Sequence, residues 1–145
     1  MAESKAQQIA RQMMEGDAFS QWLGIEVVEV REGYAQMKMT VRDEMLNGHG
    51  VMHGGVSFSL ADSAFAFASN SHGQKAVSIE TSINHTKAVF SGDELVATAE
   101  KESLSRSVGF YLVRVTRGEE LVGLFKGVVY RRTEVWDIEE REIRD

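Results

Sequence analysis

The sequence contains no cysteine in its 145 residues. This absence excludes disulfide bonds, thiolate nucleophiles and zinc sites with cysteine ligands, and it fits a reducing cytoplasm. Basic residues are in the minority, with 16 Lys and Arg against 22 Asp and Glu and a formal net charge of −6. An acidic chain is a poor general binder of nucleic acid or of anionic membranes. No long uninterrupted apolar run is present, so no membrane span is expected.

The first 19 residues carry acidic side chains and no apolar segment, so they do not resemble a secretory signal. A length of 145 residues is enough for one domain with a real core and short for two. We therefore expect a single cytoplasmic domain over residues 1–145, with neither a membrane nor a nucleic acid as partner.

Hydrophobic periodicity predicts a helix, two strands, a second helix and four further strands. The N-terminal helix is expected over 4–20, with Ile9, Met13, Met14 and Phe19 facing the core. Alternation from Ile25 onwards predicts a hairpin, and residues 42–53 are irregular. The second helix is expected over 54–70 and the four strands over 76–89, 94–104, 108–117 and 120–132. The charged tail 133–145 is expected to be peripheral.

The second helix is apolar around much of its circumference, as a helix surrounded by other elements would be. A single apolar helix beside six long strands favours one packing solution, in which the sheet curls around the helix. The predicted fold class is therefore α+β, with an antiparallel six-stranded sheet wrapped around a central helix and an additional N-terminal helix.

The stretch 53-HGG-55 opens the central helix. Glycines without a Cβ allow another molecule to approach the backbone closely. The first N–H groups of a helix lack internal partners, and the helix dipole is positive there, so such a terminus can polarise a carbonyl oxygen. A glycine pair is equally compatible with a simple tight turn.

Asp62 is the only charged residue between positions 54 and 71. Its helical neighbours include Phe58, Phe65 and Ala66, so desolvation should raise the pKa of this carboxyl group. A carboxylate of this kind suits a general base or a nucleophile, although an aspartate on a helix is more commonly a surface residue.

Gly54 and Asp62 are eight residues apart, which places them about 12 Å apart along a helix axis. One reacting carbonyl cannot contact both groups within a single chain. If both serve one reaction, a second chain must supply one of them. Antiparallel central helices in a twofold dimer would satisfy this requirement.

Asn47 and His53 flank the glycines and are further candidates. An amide from Asn47 would hold a carbonyl or a water molecule, although asparagine is also a common loop residue. The i, i+4 spacing of His49 and His53 suggests a metal, but glycines between them argue against a helix and no third ligand is evident, so no metal is expected. Lys87 and Arg106 lie near strand ends, where they could contact phosphates of a ligand.

The combination of Asn47, 53-HGG-55 and 60-LAD-62 resembles the hotdog-fold acyl-CoA thioesterases of the phenylacetate-degradation (PaaI-like) family. The likeness extends over a core of about residues 25–132 and includes 77-VSIETSIN-84. It implies hydrolysis of a thioester by Asp62, as nucleophile or general base, while the Gly54 N–H polarises the carbonyl across a dimer interface. It also implies a homodimer that pairs further into a homotetramer.

The resemblance further implies that Asn47 and His53 line the pocket and that several neighbours contact the substrate: Met52, Gly55, Phe58, Phe65 and Ser78. Coenzyme A is then part of the substrate, and no separate cofactor is expected. Two alternatives remain open, a hotdog hydratase or dehydratase and a non-catalytic module that binds acyl-CoA or an acyl carrier. The class of acyl group, aryl or medium-chain, is not determined by the sequence.

Overall fold

The computed structural model describes residues 2–138. Its helices are α1 (Lys5–Gly16), α2 (Ala18–Leu23) and α3 (Gly54–Asn70), and a short 3-10 turn spans Asp43–Met45. Its strands are β1 (Glu26–Arg31), β2 (Tyr34–Thr40), β3 (Gln74–His85), β4 (Glu94–Leu104), β5 (Val108–Arg117) and β6 (Glu120–Val135). None of the helices in the described part of the chain is long and apolar enough to cross a membrane.

The six strands form one antiparallel sheet in the order β1-β2-β4-β5-β6-β3. Helix α3 contacts all six strands, so the sheet curves around it. The predicted α+β architecture, with an antiparallel sheet wrapped around a central helix, is confirmed. The assignment of residues 1–145 to one domain stays a prediction, because residues 139–145 lie outside the described part.

Small side chains let α3 lie close to the sheet. Leu60, Ala61, Ala64 and Ala68 are completely buried, and alanine is the residue with the highest helix propensity. Two of its buried hydroxyl groups are satisfied within the helix, because Ser57 donates to the Gly54 carbonyl and Ser69 to that of Ala66. The helix is therefore fixed along the inside of the sheet, and its side chains have defined positions relative to the strands.

The single N-terminal helix expected over 4–20 is wrong, because the chain breaks at Asp17. Asp17 has φ −100° and ψ 80°, and its N–H donates to the Met14 carbonyl at the end of α1. Its carboxylate then accepts the Ser20 N–H at 2.9 Å and begins α2. The new helix has a different direction, so Phe19 is 55% exposed instead of packing in the core, whereas Ile9 is fully buried as expected.

Two strand ends also differ from the prediction. Strand β3 begins at Gln74 and ends at His85, since residues 86–91 leave the sheet and the Val89 carbonyl accepts the Met52 N–H. Strand β6 continues to Val135, and the Trp136 indole N–H donates to Asn70 at the end of α3. Residues 133–138 of the tail are therefore attached to the core, and the rest of the predicted tail lies outside the described residues.

The two edges of the sheet differ. Strand β1 is six residues long, carries Glu26 and Glu29, and has an irregular register between Val27 and Glu29, all of which oppose pairing with another strand. Strand β3 is twelve residues long and has exposed Val77 and Ile79. It pairs only with β6 within the described chain, so its other edge is available to a second strand.

Candidate active site

The N-terminus of α3 leaves one backbone donor open. His53 is the N-cap residue, and its Nδ1 accepts the Gly55 N–H at 2.9 Å while its carbonyl accepts the Val56 N–H at 3.0 Å. Within residues 2–138 the Gly54 N–H has no acceptor. Because this N–H lies at the positive end of the helix dipole, it can bind the oxygen of a polarised carbonyl. His53 thus organises the helix entrance.

His85 and Ser57 belong to the same place, and the sequence analysis did not find them. A Cβ built on Gly54 would lie 2.9 Å from His85 Nε2, and Ser57 Oγ lies 3.2 Å from His85 Nδ1. Strand β3 runs antiparallel to α3, so its last residue returns to the start of the helix. His85 is 31 positions after Gly54 along the chain, so no local motif connects the two residues. Only the antiparallel course of β3 along α3 predicts that they meet.

A cavity of about 370 Å³ opens beside Gly54. Its walls combine the loop before α3, the first turn of α3 and the segment that follows β3. The lining residues are Val51, Met52, Gly54, Ser57, His85, Thr86, Lys87, Ala88, Val89 and Val122. The cavity therefore brings the open backbone donor, an apolar wall and a lysine side chain into one space.

Asp62 lies two turns further along α3 and is half-buried. It has neither a hydrogen-bond donor nor a cationic partner among the side chains and backbone groups of the described chain. Burial raises the pKa of the Asp62 carboxyl group above its usual 3.8, and the negative charge of Asp17 raises it further. A desolvated carboxylate without a partner is the state in which an aspartate is most reactive as a base or nucleophile.

The Gly54 N–H and the Asp62 carboxylate do not meet within one chain. The eight-residue interval on an uninterrupted α-helix corresponds to about 12 Å along the axis, and α3 runs without a break from Gly54 to Asn70. If the Gly54 N–H and the Asp62 carboxylate serve one reaction, as the sequence predicts, the observed helix also needs a second chain to supply one of them.

Asn47 is held in its loop by its side-chain oxygen, which accepts the N–H groups of His49 at 2.9 Å and of Val51 at 3.3 Å. The loop role expected for an asparagine is thus present. Its amide nitrogen has no acceptor in the described region, so the same side chain keeps a donor for a ligand.

The predicted substrate contacts occupy different environments. Met52 lines the cavity, and Phe58 packs on Phe125 with ring centroids 5.5 Å apart. Phe65 is 1% exposed and lies in the core between Tyr111 and Phe125. Ser78 is exposed on β3, opposite Val129 of β6, and is part of the strand with the open edge.

Lys87 and Arg106 lie at opposite ends of the sheet. Lys87 lines the cavity and pairs with Glu120 at 3.0 Å, next to the turn between β5 and β6. Arg106 lies in the turn between β4 and β5, so the whole ten-residue length of β5 separates the two positions, about 33 Å. Residues 2–138 contain no group of three or more His, Asp or Glu side chains that could hold a metal ion.

A six-stranded antiparallel sheet around one helix, with an open N–H at the start of that helix, defines the hotdog class of thioester-processing proteins. Residues 49–124, just over half of the chain, match the model of the thioesterase superfamily. The chain therefore belongs to the thioesterase superfamily, and the predicted enzyme class, a thioester hydrolase, is confirmed.

Individual relatives agree with this assignment. The acyl-coenzyme A thioesterase PaaI of Escherichia coli is 43% identical over 88% of this chain and 91% of its own length. Its solved structure superimposes with a TM-score of 0.88, at 41% identity, over 90% of this chain and 96% of that one. A Streptococcus mutans protein crystallised with acetyl CoA is 28% identical, with a TM-score of 0.72 over 74% of this chain and 88% of that one.

Proposed function

We propose that this chain hydrolyses an acyl-CoA thioester to a carboxylic acid and free coenzyme A, using residues from two subunits. The observation that carries the proposal is the pair of unsatisfied groups on α3, the Gly54 N–H and the Asp62 carboxylate, which are complementary in chemistry and too far apart in one chain. The activity of the E. coli relative and the acetyl CoA bound by the streptococcal one support the substrate class.

The open edge of β3 supports the dimer. If two β3 strands pair across a twofold axis, the two α3 helices run antiparallel and each Asp62 faces the other subunit's helix N-terminus. Ser78, which lies on the same strand, then also lies near the junction of the two chains. The resemblance to the PaaI-like family implies that the dimer pairs into a tetramer. Light scattering measures the mass of the assembly, which is two times the chain mass of 16.2 kDa for a dimer and four times for a tetramer.

The reaction follows from these groups. The Gly54 N–H binds the thioester oxygen and stabilises the negative charge that develops on it. The Asp62 carboxylate either removes a proton from the attacking water or itself attacks the carbonyl carbon, and in both cases the carbon–sulfur bond breaks and the coenzyme A sulfur leaves as the thiolate. After a direct attack, water hydrolyses the acyl anhydride on Asp62, which releases the carboxylic acid. The Asn47 amide orients the carbonyl or the water. Lys87, on the cavity wall, contacts the coenzyme A portion, and the acyl group is aryl or medium-chain.

Release of free thiol from a panel of aryl and medium-chain acyl-CoA esters tests the activity. Asp62→Asn is expected to lower kcat by about 10²–10⁴-fold, the usual contribution of a general base. Wild-type protein that binds the esters without turnover would overturn the proposal in favour of a binding module.

Gly54→Pro tests the backbone donor alone. Proline is well tolerated at the first position of a helix, and His53, at φ −62° and ψ 134°, already has the conformation that a residue before proline adopts. The matched control is Gly54→Ala, which places the same Cβ beside His85 but keeps the N–H. We expect Gly54→Pro to be slower than Gly54→Ala by about 10²–10³-fold. Equal rates would remove this N–H from the mechanism.

Complementation tests the shared site. Asp62→Asn and Gly54→Pro chains are co-expressed with different affinity tags, and the fraction that carries both tags and has the mass of a dimer is purified. One of its two sites then combines an intact Asp62 with an intact Gly54, so we expect about half of the wild-type rate. A mixed dimer as inactive as either parent would show that each site lies within one chain.

A further inference from the structure

A chain of hydrogen bonds connects Asp17 with the residue next to Asp62. The Asp17 carboxylate accepts the Ser20 N–H at 2.9 Å and the Ser20 hydroxyl at 2.6 Å. The oxygens of Ser20 and Ser63 are 2.8 Å apart. Because the single hydroxyl proton of Ser20 is directed to Asp17, Ser63 must be the donor to Ser20. The carboxylate of Asp17 is thus fixed to α3 at the position immediately after Asp62.

This hydrogen-bonded chain is shielded from water. Ser20 is 1% exposed and Ser63 is 9% exposed. Buried hydroxyls that pass on a hydrogen bond to a carboxylate form a rigid and polarised array, since each bond strengthens the next in a medium of low dielectric. The contact therefore fixes α2 against α3 in one orientation, although α2 itself has only six residues.

The charges around Asp62 are few. From α2 the carboxylate of Asp17 acts on it and raises its pKa, in addition to burial. Helix α1 presents apolar Ala6, Ile9 and Ala10 to the core, and no charge from α1 or from the strands shifts the Asp62 pKa within the described chain. In the proposed dimer the positive end of the partner's central helix also faces Asp62.

We propose that Asp17 is a positioning residue for the hydrolysis: through Ser20 and Ser63 it holds a second carboxylate beside Asp62 on the helix that carries the reaction. The inference rests on the proposed function. A neighbouring negative charge makes the Asp62 carboxylate a stronger base and a stronger nucleophile at neutral pH. The N-terminal helix pair thereby contributes to the reaction without touching the substrate.

Asp17→Asn removes the negative charge of residue 17 and keeps a side chain of the same shape at the N-cap of α2. Asparagine is as good an N-cap as aspartate, and its side-chain oxygen can still accept the Ser20 N–H. Its NH2 group then donates to the Ser20 hydroxyl oxygen, and the Ser20 proton turns to Ser63, so the contact with α3 is kept with its direction reversed. The matched control is Glu15→Gln, which removes the same charge two residues away from a side chain that is 67% exposed. The rate of thiol release is measured against pH for the wild-type protein and both variants, with thermal melts in parallel.

The acid limb of the kcat profile reports the protonation of Asp62. Without the charge of Asp17, the pKa of Asp62 falls towards its ordinary value, so the limb moves to lower pH and the plateau rate decreases. Glu15→Gln should leave the limb where the wild-type protein has it. A limb that is unmoved in Asp17→Asn, or a uniform loss of rate that follows a loss of thermal stability, would overturn the proposal.

The same comparison is made by titration of the Asp62 carboxyl carbon by NMR, which needs no turnover. If no ester is hydrolysed by the wild-type protein, the proposed function fails on its own. The titration then still decides whether Asp17 acts on Asp62: a lower Asp62 pKa in Asp17→Asn than in Glu15→Gln supports the link, and equal values overturn it.

Discussion

Gly127 on β6 lies directly against Phe65 of the central helix. A Cβ built there would lie 2.6 Å from Cζ of Phe65 and 2.7 and 2.8 Å from its two Cε atoms. Carbon atoms pack at about 3.5–4.0 Å, so the ring would have to move by about 1 Å. Tyr111 and Phe125 hold that ring on two sides, with centroids 5.7 and 5.5 Å away. The substitution Gly127→Ala therefore overpacks the core.

The expected cost follows from these contacts. Overpacking costs about 1–3 kcal/mol, and replacing glycine by alanine in an unstrained conformation returns about 0.4–1 kcal/mol through the unfolded chain. At about 2.1 cal/mol/K per residue, the entropy of unfolding of this chain makes 1 kcal/mol equal to about 3 °C in Tm. A contact of 2.6 Å calls for the upper half of the overpacking range, about 2–3 kcal/mol, so the net cost is about 1–2.6 kcal/mol. We expect Gly127→Ala to lower Tm by about 3–8 °C, measured by calorimetry at equal protein concentration.

Gly123 provides the control on the same strand. A Cβ there would lie 3.5 Å from Val115 Cβ, an ordinary contact, and neither glycine has a positive φ. Gly123→Ala should melt at or slightly above the wild-type temperature. Adding Phe65→Leu to Gly127→Ala should cost less than the sum of the two single changes, because the smaller side chain leaves room for the new methyl group. The reasoning is refuted if Gly127→Ala melts like Gly123→Ala.

Two further outcomes follow from the site. Asp62→Asn should raise Tm at pH 7, because the raised pKa of the buried carboxyl means that the folded chain binds a proton more tightly than the unfolded one. The charged form of Asp62 therefore destabilises the fold above that pKa, and the gain in Tm of Asp62→Asn should shrink as the pH falls towards 3.8. A gain in Tm that is constant at all pH values would contradict a destabilising charge at Asp62. His53→Ala should lower the free energy of unfolding by about 1 kcal/mol through loss of the N-cap, and His53→Asn should restore it. Equal melts for these two variants would show that the Gly55 N–H does not depend on residue 53.

Local sequence patterns were sufficient to predict the bounds of the central helix and of two central strands. Helix α3 and strands β4 and β5 have the predicted bounds, because apolar periodicity and glycine turns are properties of neighbouring residues. The break at Asp17 was missed because the apolar pattern continues through it, and only the capping bonds of the aspartate mark the change of helix. The end of β6 was missed because its pairing with β3 involves residues about 50–60 positions apart.

The residues of the candidate site also fall into those that a local pattern predicts and those that it does not. Asp62, Gly54 and Asn47 could be proposed from residue type and spacing along one segment. His85 and Asp17 could not, because 31 positions separate His85 from Gly54 and 45 separate Asp17 from Asp62, and only the folded chain brings them together. The contact of Phe65 with the substrate stays a prediction, because an apolar residue on a wrapped helix has no sequence signal that distinguishes the core from a cavity.

The strand order also determines when the molecule can be assembled during synthesis. Strand β3 ends at residue 85 and its partner β6 ends at residue 135, so 50 further residues must be translated before β3 is fully paired. At about 5–20 residues per second this takes about 3–10 s, during which β3 and the apolar side of α3 lack their cover. The strand that is proposed to join two subunits is thus the last to gain its partner within the chain. A working site shared by two subunits therefore requires that β6 of each chain has been made and has paired with β3.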